Sequence, residues 1–189
     1  MTTAVLALQG AFAEHESRLK ELGETVIELR DSDDCALAFD RLILPGGEST
    51  VQSKLLKERG MDTLLRRKIE EGMPTFGTCA GMILLAQHVD NGQGGDTQSG
   101  ALATFPACVR RNAYGRQLGS FHTVDTFADM QVPMTFIRAP YLDSVEDSVS
   151  VLSRVDGNIV AARWKNQLVT AFHPEVDSDT SVHEYFLRM

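Results

Sequence analysis

The sequence predicts an α/β fold in which a largely parallel sheet is covered by helices on both faces. Two observations carry that expectation. Short apolar runs alternate with amphipathic ones through the first half of the chain, the pattern of buried parallel strands joined by crossover helices. The amphipathic runs close on glycine, the residue that stops helices.

Taken in order, AVLAL (4–8) reads as a buried strand. AEHESRLKEL (13–22) reads as a helix ended by Gly23, and TVIEL (25–29) as a second strand. RLILP follows as a third strand, then VQSKLLKERG and MDTLLRRKIEEG as helices each stopped by glycine. PTFGTC is a fourth strand, and AGMILLAQHV is expected to be helical. From Ala107 the character changes. SFHTVDTF, MTFIRAPY, SVSVLSRV, GNIVAARW and QLVTAFHP suggest strands and hairpins, with a turn at Asp156-Gly157-Asn158 and a closing helix over about 178–187. DNGQGGDTQSG (90–100) reads as a surface loop, not a domain linker.

With 189 residues, 43% of them hydrophobic, the chain is expected to form one domain spanning 1–189 around a substantial core. A net charge of −8 disfavours a nucleic-acid-binding surface, which needs clustered positive charge. No apolar stretch approaches the roughly 20 residues that span a bilayer, and the first residues lack a secretory-signal pattern, so a cytoplasmic, non-membrane protein is expected. Cys35, Cys79 and Cys108 lie far apart without a CxxC, which argues against structural zinc and disulfides.

Gly77-Thr78-Cys79-Ala80-Gly81 stands at a strand-to-helix junction and is the thiol counterpart of the G-x-S-x-G nucleophile elbow. In such a turn the flanking glycines relieve crowding, and the helix N-terminus favours thiolate over thiol. The competing reading is a buried core cysteine between packing glycines. A thiolate nucleophile needs a proton-transfer partner and an orienter for it. TAFHPE offers both: His173, then Glu175 two positions on, expected on the same side of an extended segment. HPE alone is weak, because a lone histidine is more often structural. His15, His88, His122 and His183 show no comparable setting.

LPGGEST places two glycines directly after the RLIL strand. Acyl transfer needs backbone donors aimed at a developing oxyanion, and the Gly47 and Ala80 N–H groups are assigned that role. A simple glycine turn ending a strand is the alternative.

These motifs, in this order, resemble the class I glutamine amidotransferases, the cysteine-triad family. LQGAFAEHE, LILPGGEST, FGTCAGMILLA, RNAYGRQLGSF, FIRAPY and AFHPE are most similar to the glutaminase subunits of pyridoxal 5′-phosphate synthase. The resemblance implies a three-layer α/β/α sandwich with a mostly parallel central sheet, and hydrolysis of L-glutamine to glutamate with ammonia passed to a synthase subunit in a hetero-oligomeric complex. By position, Cys79 is the nucleophile, His173 the general acid and base, and Glu175 its orienter. Gly47, Glu48, Ser49, Arg111, Ile137 and Arg138 would hold glutamine, whose α-carboxylate suits a planar guanidinium. Arg110 and Arg116 read instead as solvated surface charges. Tyr114 stands where phenylalanine is frequent in the family. The implied reaction requires no metal or organic cofactor. Competing readings are the glutaminase of another synthase, a noncatalytic docking subunit and a small peptidase-like hydrolase on a similar sheet; RNAYGRQ and FIRAP argue against the first, the intact triad against the second, and the third leaves the paired substrate arginines unexplained.

Overall fold

A computed structural model of the chain describes residues 1–92, 97–111 and 120–189. The N-terminal half runs β1 (Thr2–Leu6), α1 (Phe12–Glu21), β2 (Thr25–Leu29), a short 3-10 turn (Asp34–Ala36), β3 (Arg41–Leu44), α2 (Ser49–Glu58), α3 (Asp62–Glu70), β4 (Thr75–Thr78) and α4 (Ala80–Leu85). Strands then dominate: β5 (Ala86–Asp90), β6 (Phe105–Arg110), β7 (Ser120–Phe127), β8 (Met130–Ile137), β9 (Tyr141–Val145), β10 (Ser150–Val155), β11 (Asn158–Trp164) and β12 (Gln167–Thr170) precede the final helix α5 (Ser181–Leu187).

The main sheet has the order β2-β1-β3-β4-β12-β11-β9-β6-β5, with β10 added beside β11. The run from β2 to β12 is parallel throughout. Its inner strands β3, β4 and β12 are buried at every position, which is why they show no alternation of apolar and exposed polar residues. α1 packs on β1 and β2, and α4 on β3 and β4. The fold is thus the α/β sandwich that the sequence predicts. β7 and β8 form a separate antiparallel hairpin. Val132, Met134 and Phe136 are its buried alternate residues, and Phe121 stacks on its cross-strand partner Phe136 at 4.4 Å.

β1 pairs β2 on one side and β3 on the other, so the connection reverses direction between β1 and β3. Because β1, β3, β4 and β12 are parallel neighbours, the segments that follow them all emerge at one edge of the sheet. That carboxyl edge at a topological switch point is where open α/β sheets bind ligands.

Several expectations need correction. AGMILLAQHV is not one helix: α4 ends at Leu85, and Ala86–Asp90 is strand β5. The returning segment takes the carbonyls that would continue the helix, with Gly100 N donating to Ala86 O and Leu102 N to Leu84 O, both at 2.9 Å. MTFIRAPY is interrupted as well. β8 stops at Ile137, Arg138 adopts φ 44°, and β9 begins only at Tyr141. FPACVR forms β6, a strand that the sequence reading missed. The last helix starts at Ser181, whose N–H is taken by Asp179 Oδ1 at 2.8 Å. By contrast Asp156 and Gly157 form the expected turn between β10 and β11, both with positive φ. Within the expected loop over 90–100, Val89 and Gln98 form an isolated bridge; residues 93–96 lie outside the described residues.

Candidate active site

Cys79 lies between the end of β4 and the start of α4, with φ 47° and ψ −98°. That backbone region is strained for a residue bearing a Cβ. Its surroundings hold it there: Cys79 N donates to Thr170 O at 2.8 Å, tying the elbow to β12. A Cβ on Gly81 would come within 2.0 Å of Leu44 O, and one on Gly77 within 2.7 Å of the Gly81 carbonyl carbon. The two flanking glycines therefore let strand, helix and the neighbouring β3 close up around the turn. α4 is only six residues long, so its N-terminal field comes from the free N–H groups of its first turn.

His173 follows β12, and its N–H donates to Thr135 O of β8 at 2.8 Å. Its Nδ1 bonds Glu175 Oε1 at 2.7 Å. The expected geometry was an extended segment; residues 173–175 instead form a turn in which Pro174 brings the carboxylate back onto the ring. Glu175 is 2% exposed and His173 6%. Burial alone pulls the His173 imidazole down, but the proximity of Cys79, the hydrogen bond to Glu175 and the negative charges of both outweigh it and hold the ring up at about 10. His173 Nε2 is buried without an aligned hydrogen bond. Cys79 is thus near enough to act on the ring electrostatically, and alignment of the pair is left to the reacting complex, as is usual before substrate binds.

A cavity of about 290 Å³ opens over this pair, lined by Gln9, Gly47, Glu48, Ser49, Cys79, Ile83, Arg111, Ile137, Arg138, Pro140 and His173. All six residues expected to hold substrate lie on this wall. Glu175 sits behind His173, and Ala80 is buried at the first position of α4 without lining the cavity. Arg111 is steadied by Asn91 Oδ1 at 3.3 Å and Thr50 Oγ1 at 3.2 Å. Arg110 points elsewhere, pairing with Asp90 and Asp143 as a surface charge. Arg116, Tyr114 and the remainder of RNAYGRQ from Asn112 lie outside the described residues.

The glycine pair has a packing reason beyond substrate access. A Cβ on Gly46 would meet His173 Cε1 at 2.3 Å, and one on Gly47 would meet Gln9 Oε1 at 2.5 Å. Gly46 O also accepts from Ala11 N at 3.0 Å, and Glu48 N donates to Gln9 Oε1 at 2.8 Å. Gln52 Nε2 donates to Gln9 O at 2.8 Å. The turn after β3 is thereby laced to the segment after β1.

Sequence reasoning missed Gln9 on the cavity wall and a buried group behind it. His15 Nε2 lies 3.0 Å from Thr78 Oγ1 and 3.5 Å from Glu175 Oε2, and His15 Nδ1 lies 3.0 Å from His183 Nε2. One signal was present: His15 and Leu19 stand four apart on α1 and share its buried face, so His15 occupies a core position where a polar group needs a partner. His183 lies on α5, and nothing in the sequence joins it to His15.

An α/β sandwich carrying a cysteine on a nucleophile-elbow turn, beside a carboxylate-bound histidine, defines a class: α/β proteins with a cysteine elbow and a histidine-carboxylate pair at the carboxyl edge of the sheet. Comparison with known proteins narrows it. The chain belongs to the SNO glutamine amidotransferase family, whose model matches residues 5–189. It is 51% identical over 188 residues to "Pyridoxal 5'-phosphate synthase subunit PdxT" of Desulfitobacterium hafniense (strain DSM 10664 / DCB-2), covering 99% of this chain and 92% of that protein. It is 52% identical over 190 residues to the subunit of the same name from Methanocorpusculum labreanum, covering 100% and 97%. A crystal structure of a glutamine amidotransferase superposes with a TM-score of 0.90 at 39% identity, covering 98% of this chain and 97% of the other. PurLQS from Thermotoga maritima shares the fold, with a TM-score of 0.65 at 14% identity over 99% and 97%.

Proposed function

We propose that this protein hydrolyses L-glutamine to L-glutamate and ammonia, and supplies the ammonia to the synthase subunit of pyridoxal 5′-phosphate synthase. The chain acts as one glutaminase domain in the cytoplasm. The observation that carries this reading is the single cavity in which Cys79 and His173 meet two arginines, Arg111 and Arg138. Family membership and the PdxT relatives supply the reaction and the partner.

Cys79 Sγ attacks the side-chain carbonyl carbon of glutamine, and the electron pair moves onto the oxygen, which the Gly47 and Ala80 N–H groups receive. His173 gives its proton to the departing nitrogen, the C–N bond breaks, and ammonia leaves a glutamyl thioester. An imidazole held at about 10 while the thiolate is beside it arrives protonated for this step. Having given its proton to the departing ammonia, the ring is neutral, and with the sulfur acylated no thiolate competes for its Nε2, so it accepts a proton from the attacking water. The hydroxide equivalent cleaves the thioester, releases glutamate and restores Cys79. Glu175 keeps Nδ1–H of His173 engaged throughout, which leaves Nε2 to face the reaction. Arg111 and Arg138 bind the α-carboxylate, while Glu48 and Ser49 sit where the remaining polar head of glutamine is held.

The test is to mix the protein with the synthase subunit, that subunit's other substrates and amide-¹⁵N glutamine. The label is expected in the ring nitrogen of pyridoxal 5′-phosphate and absent when Cys79→Ser replaces the native chain. Failure of the label to reach the product in the native mixture would overturn the reading.

A further inference from the structure

Three buried groups behind the cavity take no part in the mechanism above. His15 and His183 are both 0% exposed, and they join helices α1 and α5 to Thr78 at the end of β4. Phe76 packs edge-on against both rings, with centroids 6.0 and 5.9 Å away. Glu175 Oε1 is engaged by His173, whereas Glu175 Oε2 is buried with no aligned hydrogen bond. His15 Nε2 lies 3.5 Å from that second oxygen.

The protons of this cluster can be placed by elimination. Burial holds both His15 and His183 down, His183 to about 4, so each ring is neutral and carries one N–H. If His15 carried its proton on Nδ1, it would donate to His183 Nε2, and the His183 proton would have to sit on Nδ1. That nitrogen is buried and unpartnered, and a buried orphan N–H is a rare and costly state. The same arrangement would also aim the lone pair of His15 Nε2 at a carboxylate oxygen. With the opposite tautomers, His183 Nε2–H donates to His15 Nδ1, and His15 Nε2–H points into the space between Thr78 Oγ1 and Glu175 Oε2. Only an acceptor lone pair is then left unpaired, at His183 Nδ1.

We propose that His15 is a positioning residue of the glutaminase site: its Nε2–H, set by the hydrogen bond from His183, faces the second oxygen of Glu175 and fixes the carboxylate that orients His173. A neutral donor suits this place. It supplies a dipole without a full positive charge, so the negative charge of Glu175 remains available to the His173 imidazolium. The proposal rests on the triad assignment made above.

The experiment measures glutamine hydrolysis by the protein assembled with its synthase subunit, for His15→Leu, His15→Gln, Glu175→Gln and the double variant His15→Leu/Glu175→Gln. His15→Leu is expected to lower kcat about 10- to 100-fold, the size of losing an outer partner that orients a functional carboxylate, with KM changed less than about threefold. His15→Gln keeps an N–H donor and is expected to recover most of the loss. Because His15 acts through Glu175, His15→Leu should cost nothing further in the Glu175→Gln background. A His15→Leu kcat within about twofold of native, or an equal loss in both backgrounds, would overturn the proposal while leaving the triad intact. Full activity in Glu175→Gln would overturn the triad assignment, and this inference with it. If His15→Leu does not fold, His15→Gln decides: a kcat within about threefold of native supports the donor role, and a loss of about tenfold or more, in a variant of native secondary structure, overturns it.

Discussion

Cys79 differs from the other two thiols in its surroundings. Burial, with Asp34 adding to it, pushes Cys35 up to about 11, and burial with Asp143 raises Cys108. Neither faces the cavity, whereas Cys79 does. A glutamine-analogue electrophile should therefore label Cys79 alone by peptide mass mapping, and Cys79→Ser should lose hydrolysis while keeping the fold and partner docking. Labelling spread evenly over the three thiols would remove Cys79 as the nucleophile. The arginines are tested separately. Arg111→Ala or Arg138→Ala should each reduce kcat/KM by about 1.5–3 kcal/mol, roughly 10- to 150-fold, if a charge-assisted bond to the substrate carboxylate is lost. Lysine should rescue poorly, because it lacks the planar fork. Unchanged kcat/KM in both alanine variants would return these residues to the role of surface charges.

At the scale of elements, the site depends on how closely four parallel strands bring their carboxyl-end segments together. Gly81 has no room for a methyl group against Leu44 O of β3, and the clash is with backbone, which cannot swing aside. Gly81→Ala should destabilise the protein by about 2–4 kcal/mol, read as a lower urea midpoint at unchanged slope. Gly46→Ala is a different experiment, since its Cβ would meet the His173 ring and not main chain. There the larger loss is expected in kcat, because a side chain with a catalytic assignment is displaced. An urea midpoint lowered by Gly46→Ala as far as by Gly81→Ala, with activity per folded molecule unchanged, would show that His173 can move without consequence.

For the molecule as a whole, the histidines set opposite limits on stability. The folded pKa of His183, about 4, lies below the ordinary value of 6.5, and that of His15 is lowered in the same sense. Between those values the unfolded chain binds more protons than the folded one, so stability falls as pH drops from about 6.5 towards 4, by on the order of 3 kcal/mol from His183 alone. His173 is raised to about 10, so its contribution is fully present below 6.5 and is lost as pH rises through 10. Urea unfolding across this range should show maximum stability near pH 6.5, and His183→Leu should flatten the acid side. A curve that keeps its acid slope in that variant would assign the slope to other groups. Partner coupling belongs to the same scale. The Gly46-Gly47 segment is tied to the turn after β1 through Ala11 and Gln9, so a partner that docks there bears directly on the assigned oxyanion donor. We expect the synthase subunit to raise kcat/KM for glutamine about 5- to 150-fold, a coupling of about 1–3 kcal/mol. Equal values with and without synthase would mean that the donor is already in place in the free chain.

The sequence by itself determined what depends on short stretches of chain. The parallel half of the sheet was legible because short, largely apolar runs alternate with amphipathic ones, and the elbow was legible because GTCAG holds its nucleophile and both relieving glycines within five residues. Most of the cavity wall lay within the motifs that carry the family resemblance, although Gln9 was not singled out from them. Only the tertiary structure decided where α4 stops, because the carbonyls that end it are taken by Gly100 and Leu102, far along the chain. It likewise decided that His173 reaches Glu175 through a turn and not along a strand. His15 and His183 stand 168 positions apart, and no local pattern reports a hydrogen bond between two helices that meet only once the sheet between their sequence positions has formed.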